Sequence, residues 1–164
     1  MLQELKQQIL NKQVSLGEAL PRVLPELRGR VADIKLLWLS KELQGYDDAL
    51  DFYRSSSHGL PPYRIVKGSL FRVGQDGSIT PLTHPYAQRS DFFLSAPISW
   101  LETEAKVPGD ESLIELTEFS AFKVAGDHGV VCACAKTDVK RLVSAFQVRF
   151  LRLLDEVLRG PVRS

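Results

Sequence analysis

The sequence predicts an α+β fold that is predominantly helical, a helical bundle with a long C-terminal amphipathic helix and one or two small β-hairpins. Two observations support this prediction. Apolar residues keep to one helical face over about six turns between Val139 and Leu158. An Asp-Gly pair at Asp76 separates two β-prone segments, YRIVKGSLFRV and SITPL, and is a strong hairpin signal. With 164 residues and no linker-like stretch, the chain is expected to form a single domain, residues 1–164.

Two helical segments are predicted at the start of the chain. Apolar residues at three- and four-residue spacing predict a short amphipathic helix over residues 2–12. Ser15 and Glu18 form a capping-box pattern, so a second helix is predicted to begin there. Pro21 and Pro25 lie inside the apolar stripe of this second helix. Because each proline removes a backbone amide and crowds the carbonyl four residues earlier, we expect a kink or a break.

A third helix is predicted from the segment VADIKLLWLSKELQGY. Its apolar positions, among them Ile34, Leu37 and Trp38, occupy most of its circumference, so we expect it to be the central and most buried helix. Gly45 follows the last apolar residue of the pattern. A residue without a Cβ adopts a left-handed C-terminal cap there at the lowest cost.

The segment after the third helix loses this periodicity. Residues 47–62 are rich in Asp, Ser, Gly and Pro, which predicts an exposed and mobile connection with at most one turn of helix around residues 50–53. Further along, Pro97 is expected to open another short helix, ISWLETEA, because proline suits the first helical turn.

The second half of the chain contains one ambiguous segment and a second hairpin signal. Periodicity does not distinguish a short helix from a strand over residues 113–119. The segments FKV and VVCACA flank GDHG and predict a second hairpin. The terminal helix is expected to be capped by Thr137 or Asp138 and to end at Gly160 and Pro161.

The composition restricts the classes of function. A formal net charge of +1 predicts no broad attraction to nucleic acid or to anionic membranes. No run approaches the roughly 20 apolar residues that span a bilayer, and residues 1–10 lack a signal-peptide core, so we expect a cytoplasmic protein without membrane contact. Cys132 and Cys134 stand two residues apart on a predicted strand. Their separation of about 6.6 Å is too large for an unstrained disulfide, so we expect buried free thiols.

Glu42 and Arg64 are the pair that the sequence singles out most clearly. We expect Arg64 to reach from the first strand to the end of the third helix, where it pairs with Glu42 or satisfies the exposed carbonyls of the last turn. This interpretation is structural, and we expect Arg64→Ala to destabilise the fold by about 1 to 3 kcal/mol. The alternative is a small anion pocket with Tyr46, Tyr63 and Arg64 at its rim.

Two sets of residues are candidate contact surfaces. One is the set of basic residues on the terminal helix, which form either its solvent face or a phosphate-contacting patch: Lys140, Arg141, Arg149 and Arg152. The other is a group of large apolar residues that is expected to supply a dimer or partner-docking face: Phe92, Phe93, Phe146 and Phe150.

No catalytic residue, metal site or cofactor is predicted. The lone Cys-x-Cys and three scattered histidines do not have zinc-ligand spacing. No serine lies in a Gly-x-Ser-x-Gly elbow, and no Gly-rich phosphate loop precedes a helix. Asp47, Asp48 and Asp51 suggest a magnesium-dependent nuclease as an alternative, but adjacent acids on a loop more often form a solvated turn.

Two short motifs and a terminal segment carry a family resemblance. The motifs are Glu-Leu-x-Gly-Tyr at residues 42–46 and Leu-Pro-x-Tyr-Arg at residues 60–64, and the segment is VRFLRLLDEV. Together with the leading helix pair, the hairpin and the helix after SAP, they resemble the AbiTii domain of bacterial abortive-infection and related anti-phage systems over nearly the whole chain. The matching residues are Glu42, Leu43, Gly45, Tyr46, Leu60, Pro61, Tyr63 and Arg64, with Val148, Arg149 and Leu151 to Leu154 in the terminal segment.

The resemblance implies a mostly helical domain that is encoded beside or fused to effectors in phage-defence loci. Because no effector domain follows residue 160, it implies a version that acts with a separately encoded effector or by self-association. We therefore expect a non-enzymatic interaction or oligomerisation module, whose partner is a protein encoded nearby or a second copy. The alternatives are a small toxin-like hydrolase or nuclease that uses residues 47–64, and a nucleic-acid-binding module that uses the basic face. Nucleic acid is not the favoured partner.

Overall fold

A layer of five α-helices packs against one face of a five-stranded antiparallel sheet in the computed structural model, which describes residues 1–54, 60–122 and 128–160. The helices are α1 (Leu2–Leu10), α2 (Leu16–Leu27), α3 (Asp33–Gln44), α4 (Ile98–Lys106) and α5 (Lys136–Leu158). Short 3-10 helices span Ala49–Tyr53, Pro62–Arg64, Pro85–Gln88 and Thr117–Phe122.

The sheet is larger than the predicted one or two hairpins. Its strands are β1 (Ile65–Val73), β2 (Ile79–Pro81), β3 (Asp91–Phe93), β4 (Glu111–Glu115) and β5 (Gly129–Ala135). They run in the order β2-β1-β5-β4, and β3 pairs with the beginning of β1. The sheet grows because β5 pairs with β1 on one side and β4 on the other, through residues distant in sequence.

The sheet is buried on one face and open on the other. Alternate residues of β4 are buried and exposed, and the buried side chains of β5 include Val130, Cys132 and Cys134. Both thiols are free, as the sequence predicts. One hydrophobic core joins all five helices to β1, β3, β4 and β5. In the residues that the structure describes, no helix is long and apolar enough to span a bilayer.

Several predicted elements are confirmed. The Asp-Gly turn joins β1 to β2, with Phe71 opposite Pro81. The capping box of α2 is present, because the Ser15 side chain accepts from the Glu18 amide and the Glu18 carboxylate accepts from the Ser15 amide. Helix α5 is the longest helix of the described residues and buries one face. It begins at Lys136, after Ala135, so neither Thr137 nor Asp138 is its cap.

The ambiguous segment 113–119 contains both kinds of structure. Leu113 lies in β4, and Phe119 lies in the 3-10 helix that follows. The second predicted hairpin has FKV, which begins at Phe122, as its first strand. This prediction is wrong at Phe122, because this residue belongs to the same 3-10 helix. The remainder of that predicted strand and most of its turn, residues 123–127, lie outside the described residues.

The two internal prolines do not break α2. The helix is continuous from Leu16 to Leu27, with Pro21 and Pro25 both exposed. A proline that faces solvent leaves the carbonyl four residues earlier within reach of water, and the apolar stripe of the helix is fully buried. Burial of that stripe therefore outweighs the lost hydrogen bonds.

Helix α3 is not the most buried helix. Of its side chains only Leu39 and Glu42 are buried, whereas Ile34 is 72% exposed and Leu37 is 55% exposed. The prediction fails because the helix packs with one side against the helical layer, so apolar residues around the rest of its circumference face outward. Its Trp38 ring contacts Phe146 of α5, with ring centroids 5.5 Å apart.

The phenylalanines expected to form a docking face are core residues. Each of the four side chains is fully buried, so none is available to a partner: Phe92, Phe93, Phe146 and Phe150. The exposed apolar surface lies elsewhere, because β3 and the inner face of α5 are covered by neighbouring elements of the same domain.

The predicted connection 47–62 is only partly a loop. Residues 49–53 form a 3-10 helix whose Ala49 and Tyr53 side chains are buried. Ala49 and Leu60 form a small cluster with Tyr46 and Phe93, and Tyr53 belongs to the main core. Aromatic packing against β3 therefore holds this segment to the domain. Residues 55–59 lie outside the described part of the chain.

Gly68 of β1 is a steric requirement of the sheet, which a substitution can test. A Cβ at this position would lie 2.4 Å from the carbonyl oxygen of Ala133 and 3.0 Å from the Sγ of Cys132. Because backbone cannot yield as a flexible side chain does, we expect Gly68→Ala to destabilise the fold by about 1 to 3 kcal/mol or more in urea denaturation. Gly129→Ala is the matched control, since the nearest atom of the described residues to its Cβ would be the Glu115 Oε2 at 3.7 Å. Equal stability of the two variants would contradict this packing.

Candidate functional site

Three segments that are distant in sequence meet at one buried point. They are the end of α3 with Gly45 and Tyr46, the 3-10 helix Pro62–Arg64 that leads into β1, and the segment 94–96 that leads from β3 to α4. The amide of Tyr46 donates to the carbonyl of Ser95 at 2.9 Å, and the amide of Leu94 donates to the carbonyl of Arg64 at 2.9 Å. Backbone hydrogen bonds thus fix the positions of all three segments.

The Arg64 side chain joins these segments through four hydrogen bonds. Its Nε and Nη2 donate to the two carboxylate oxygens of Glu42 at 2.9 and 2.8 Å. Its Nη1 donates to the carbonyl oxygens of Leu94 and Ala96, both at 2.6 Å. Bidentate pairing of this kind fixes both the distance and the plane of the guanidinium. Both charged side chains are completely buried.

Two tyrosines complete the hydrogen bonding of Glu42. The hydroxyls of Tyr46 and Tyr63 donate to its Oε2 at 2.6 and 2.5 Å. The Trp38 indole in turn donates to the Tyr63 hydroxyl at 2.8 Å. The Arg64 guanidinium also lies over the Tyr46 ring, 4.7 Å from its centroid. We call these five residues, Trp38, Glu42, Tyr46, Tyr63 and Arg64, the clasp.

Gly45 and Pro61 shape the backbone on either side of the clasp. Gly45 adopts a φ of 97°, and a Cβ there would lie 3.1 Å from the Ser95 carbonyl oxygen, so a glycine is required for both conformation and space. Pro61 is buried and precedes the 3-10 helix that carries Tyr63 and Arg64.

The electrostatics of the clasp favour a fixed charge pair over a reactive centre. Burial acts to lower the pKa of Arg64, but the Glu42 carboxylate and its hydrogen bonds outweigh that effect, so the pKa is raised. Burial and the charge of Glu42 raise the pKa of both Tyr46 and Tyr63 above their ordinary value. The tyrosines therefore stay protonated and the arginine stays charged, and all three side chains are buried.

Sequence reasoning missed two parts of the clasp. The carbonyl acceptors of Arg64 belong to Leu94 and Ala96, not to the last turn of α3. Trp38 was assigned to a purely apolar role, although its indole donates to Tyr63. The SAP sequence at residues 95–97 was the available signal for the first, since it marks an extended segment whose carbonyls need partners before α4 begins. A buried tryptophan commonly has a polar partner, which was the signal for the second.

A half-buried carboxylate, that of Glu118, lies close to the clasp. Glu118 accepts a hydrogen bond from the Ser95 hydroxyl at 2.6 Å, while its other oxygen is buried without a partner in the described residues. Burial raises the pKa of Glu118, and the Ser95 hydrogen bond only partly opposes this shift. The ionised form of this side chain is therefore destabilised in the folded protein.

A groove opens beside the clasp between α3 and α5. Its volume is about 420 Å³, and its apolar lining includes Trp38, Leu60 and Pro61. A second depression of about 520 Å³ continues it past Gly29 and Val157. Both depressions share three lining residues: Lys35, Leu153 and Glu156. The two together are called the α3/α5 groove below.

The four basic residues of the terminal helix do not share one surface. Arg149 and Arg152 line the α3/α5 groove, and the Arg149 guanidinium lies 5.0 Å from the centroid of the Tyr63 ring. Arg141 donates to the carbonyl of Ile65 at 3.1 Å. Lys140 lines a separate cavity of about 480 Å³ beside α1 and α4. The structure therefore does not bring them together as one phosphate-contacting patch.

The acidic residues of the predicted loop do not converge either. Asp48 pairs with Lys41 at 2.6 Å, and Asp51 lies 3.9 Å from Arg54. Within residues 1–54, 60–122 and 128–160, no group of three or more His, Cys, Asp or Glu side chains is placed to hold a metal ion. His58 lies outside these ranges.

The burial of the clasp predicts that Arg64→Ala lowers the free energy of unfolding by more than the value expected from the sequence. Removing Arg64 leaves the Glu42 carboxylate without its counter-charge in a fully buried site, so we expect a loss of about 3 to 5 kcal/mol in the free energy of unfolding. Arg54→Ala is the control, because this arginine is exposed and its ion pair is long.

A double-mutant cycle separates the pair from its surroundings. If the coupling is direct, the loss in Arg64→Met/Glu42→Gln is smaller than the sum of the two single losses. Additive losses would show that Arg64 and Glu42 do not depend on each other.

Because the pKa of Glu118 is raised, we expect its replacement by the neutral glutamine to stabilise the fold by an amount that depends on pH. A carboxyl group whose pKa is raised on folding favours the native state at low pH, and this contribution is lost as the pH rises through its folded pKa. We therefore expect Glu118→Gln to be more stable than the wild type at pH 7 and to lose this advantage towards pH 4. Thermal melts across this range measure the difference. A stability difference between Glu118→Gln and the wild type that does not change with pH would contradict the raised pKa of Glu118.

Comparison with known proteins gives no assignment, because no family model, no curated protein and no solved structure matches the chain.

Proposed function

We propose that the chain is a non-enzymatic interaction or oligomerisation module of a bacterial anti-phage, abortive-infection system. It acts with a separately encoded effector or by self-association, in the cytoplasm. The proposal takes its biological setting from the resemblance to the AbiTii domain, whose two central motifs contain Glu42, Tyr46, Tyr63 and Arg64. The contacts among these four side chains support a framework role for the motifs.

The observation that carries the proposal is the contrast between the clasp and the exposed side of α3. Every charged or hydroxyl group of the clasp is buried and hydrogen-bonded to another member of the clasp, so these groups stabilise the fold. Ile34 and Leu37 on the same helix are exposed, and Ile34 lines the α3/α5 groove. Apolar side chains at the rim of a groove are typical of a surface that binds another protein.

Substitutions on the exposed side of α3 test the proposal in cells. We expect Ile34→Asp/Leu37→Asp to abolish protection by the locus in phage plating assays, because charges at these positions oppose burial in an interface. The fold should survive, with a change of no more than about 0.5 kcal/mol in the free energy of unfolding, since both side chains are exposed.

Leu10→Asp is the matched control, because Leu10 is 46% exposed on α1, away from the groove. Full protection by the Ile34→Asp/Leu37→Asp chain would contradict the proposal. Hydrolysis of nucleic acid by the purified wild-type chain, lost in an Asp47→Ala/Asp48→Ala variant, would replace it with the nuclease alternative.

A further inference from the structure

The α3/α5 groove combines an apolar floor with unpaired positive charge. Lys35 stands on α3, and Arg149 and Arg152 stand on α5, so cations lie on both helices that border the groove. In the described part of the chain these three side chains make no ion pair, and the acidic member of the lining is Glu156. Arg30 lines the continuing depression, so four cations of the groove stand against one carboxylate, and this excess favours an occupant that is both apolar and acidic.

The opposite chemistry is present on β4, at the edge of the sheet. Glu111, Leu113 and Glu115 point to the open face of the sheet, and Leu113 is 44% exposed. Because side chains on one face of a strand repeat every two residues, each carboxylate stands about 7 Å from Leu113 along the strand. The edge thus presents an apolar side chain between two negative charges.

This edge is extended by apolar neighbours, and among the described strands β4 pairs only with β5. Leu113 lies opposite Ala133 and Glu115 lies opposite Val131 on β5, and both β5 residues are half-buried on the same open face. The bonds from the Lys136 amide to Asp110 and from the Leu116 amide to Val130 fix the hydrogen-bonding pattern of the β4–β5 ladder. In that pattern the backbone groups of residues 111, 113 and 115 point away from β5.

Pairing of two β4 edges in the symmetric register about Leu113 is disfavoured. An antiparallel pairing centred on Leu113 would place Glu111 of one copy directly opposite Glu115 of the other, and like charges at that position are destabilising. The charges of this edge therefore disfavour symmetric self-pairing and are complementary to a basic surface. The α3/α5 groove is a surface of that kind on the same chain.

We infer that the α3/α5 groove binds the β4 edge of a second copy of this chain. Leu113 enters the apolar floor formed by Trp38, Leu60 and Pro61, and the flanking carboxylates face the cations of α3 and α5. The contact joins two different surfaces, so the pair retains one free edge on the copy whose groove is filled and one free groove on the other copy. Such a head-to-tail contact builds rings or open chains, not closed two-fold dimers. This inference rests on the proposed function, since it names the partner of its self-association branch.

Sedimentation velocity of the purified full chain tests the inference. At 0.1 M salt the wild-type mass should rise above the 18.4 kDa of one chain as its concentration is raised from about 10 μM to about 1 mM. It should fall towards 18.4 kDa at 1 M salt, where the screening length shortens to about 3 Å. A wild-type mass of one chain at every concentration would overturn the inference.

Two variants separate the two surfaces. The Lys35→Glu/Arg152→Glu variant reverses the charge of two groove cations and leaves the β4 edge intact. The Leu113→Glu variant removes the apolar side chain of the β4 edge and leaves the groove intact. Each variant alone should associate about tenfold or more weakly than the wild type. An equimolar mixture should form a dimer of one copy of each and nothing larger, because only one intact groove and one intact edge remain to meet. Failure of the mixture to form this dimer would overturn the inference.

Matched controls exclude a general effect of charge. Arg22→Glu/Lys106→Glu reverses two exposed cations on α2 and α4, and Leu10→Glu places a carboxylate at an exposed apolar position on α1. Both control variants should associate like the wild type, and weakening by either as large as that of the test variants would overturn the inference.

The plating assay is an independent readout. A monomeric wild-type chain that still protects cells through Ile34 and Leu37 would overturn this inference and leave the proposed function in place. Oligomers that respond to salt and to the variants as expected, in a chain that does not protect cells, would support this inference and contradict the proposed function.

Discussion

The buried ion pair between Glu42 and Arg64 is the constraint on which the remainder of the structure depends. A carboxylate and a guanidinium are expensive to remove from water, and an isolated buried charge is far more expensive than a bonded pair. This pair is tolerated because Glu42 accepts four hydrogen bonds and Arg64 donates four. All the partners must arrive in the correct geometry, so the pair permits only one arrangement of the segments around it.

That arrangement sets the geometry of the whole helical side of the domain. The Leu94 and Ala96 carbonyls fix the entry into α4, and the Tyr63 hydroxyl ties the start of β1 to Trp38 of α3. Arg149 of α5 lies over the Tyr63 ring, which brings the terminal helix to the same point. The clasp thus positions α3 and α5, and the groove between them is a consequence of this packing.

The same arrangement explains why the surfaces available to a partner differ from those that the sequence suggested. Helix α3 packs against the domain with one side only, so the apolar residues on its other side, Ile34 and Leu37, are exposed. The sheet is covered by helices on one face only, which leaves the side chains of β4 alternately buried and open. A basic groove and an acidic edge on one chain follow from these two facts.

The sequence by itself determined the features that depend on near neighbours in the chain. These include the capping box at Ser15 and Glu18, the Asp-Gly hairpin, and the boundaries of the terminal helix to within a few residues, because local hydrogen bonds and periodic burial are encoded within about ten residues. The sequence also indicated Glu42 as one of two alternative partners of Arg64, because a bidentate guanidinium suits both a carboxylate and the negative end of a helix.

Only the tertiary structure decided features that depend on distant segments. The pairing of β5 with both β1 and β4 joins residues that no periodicity links, and the acceptors of Arg64 are backbone carbonyls, which every residue has and no residue type reveals. The exposure of α3 was likewise beyond local pattern. Apolar residues all around a helix show that every side of it could be buried. Which sides are buried depends on the elements that the fold packs against it.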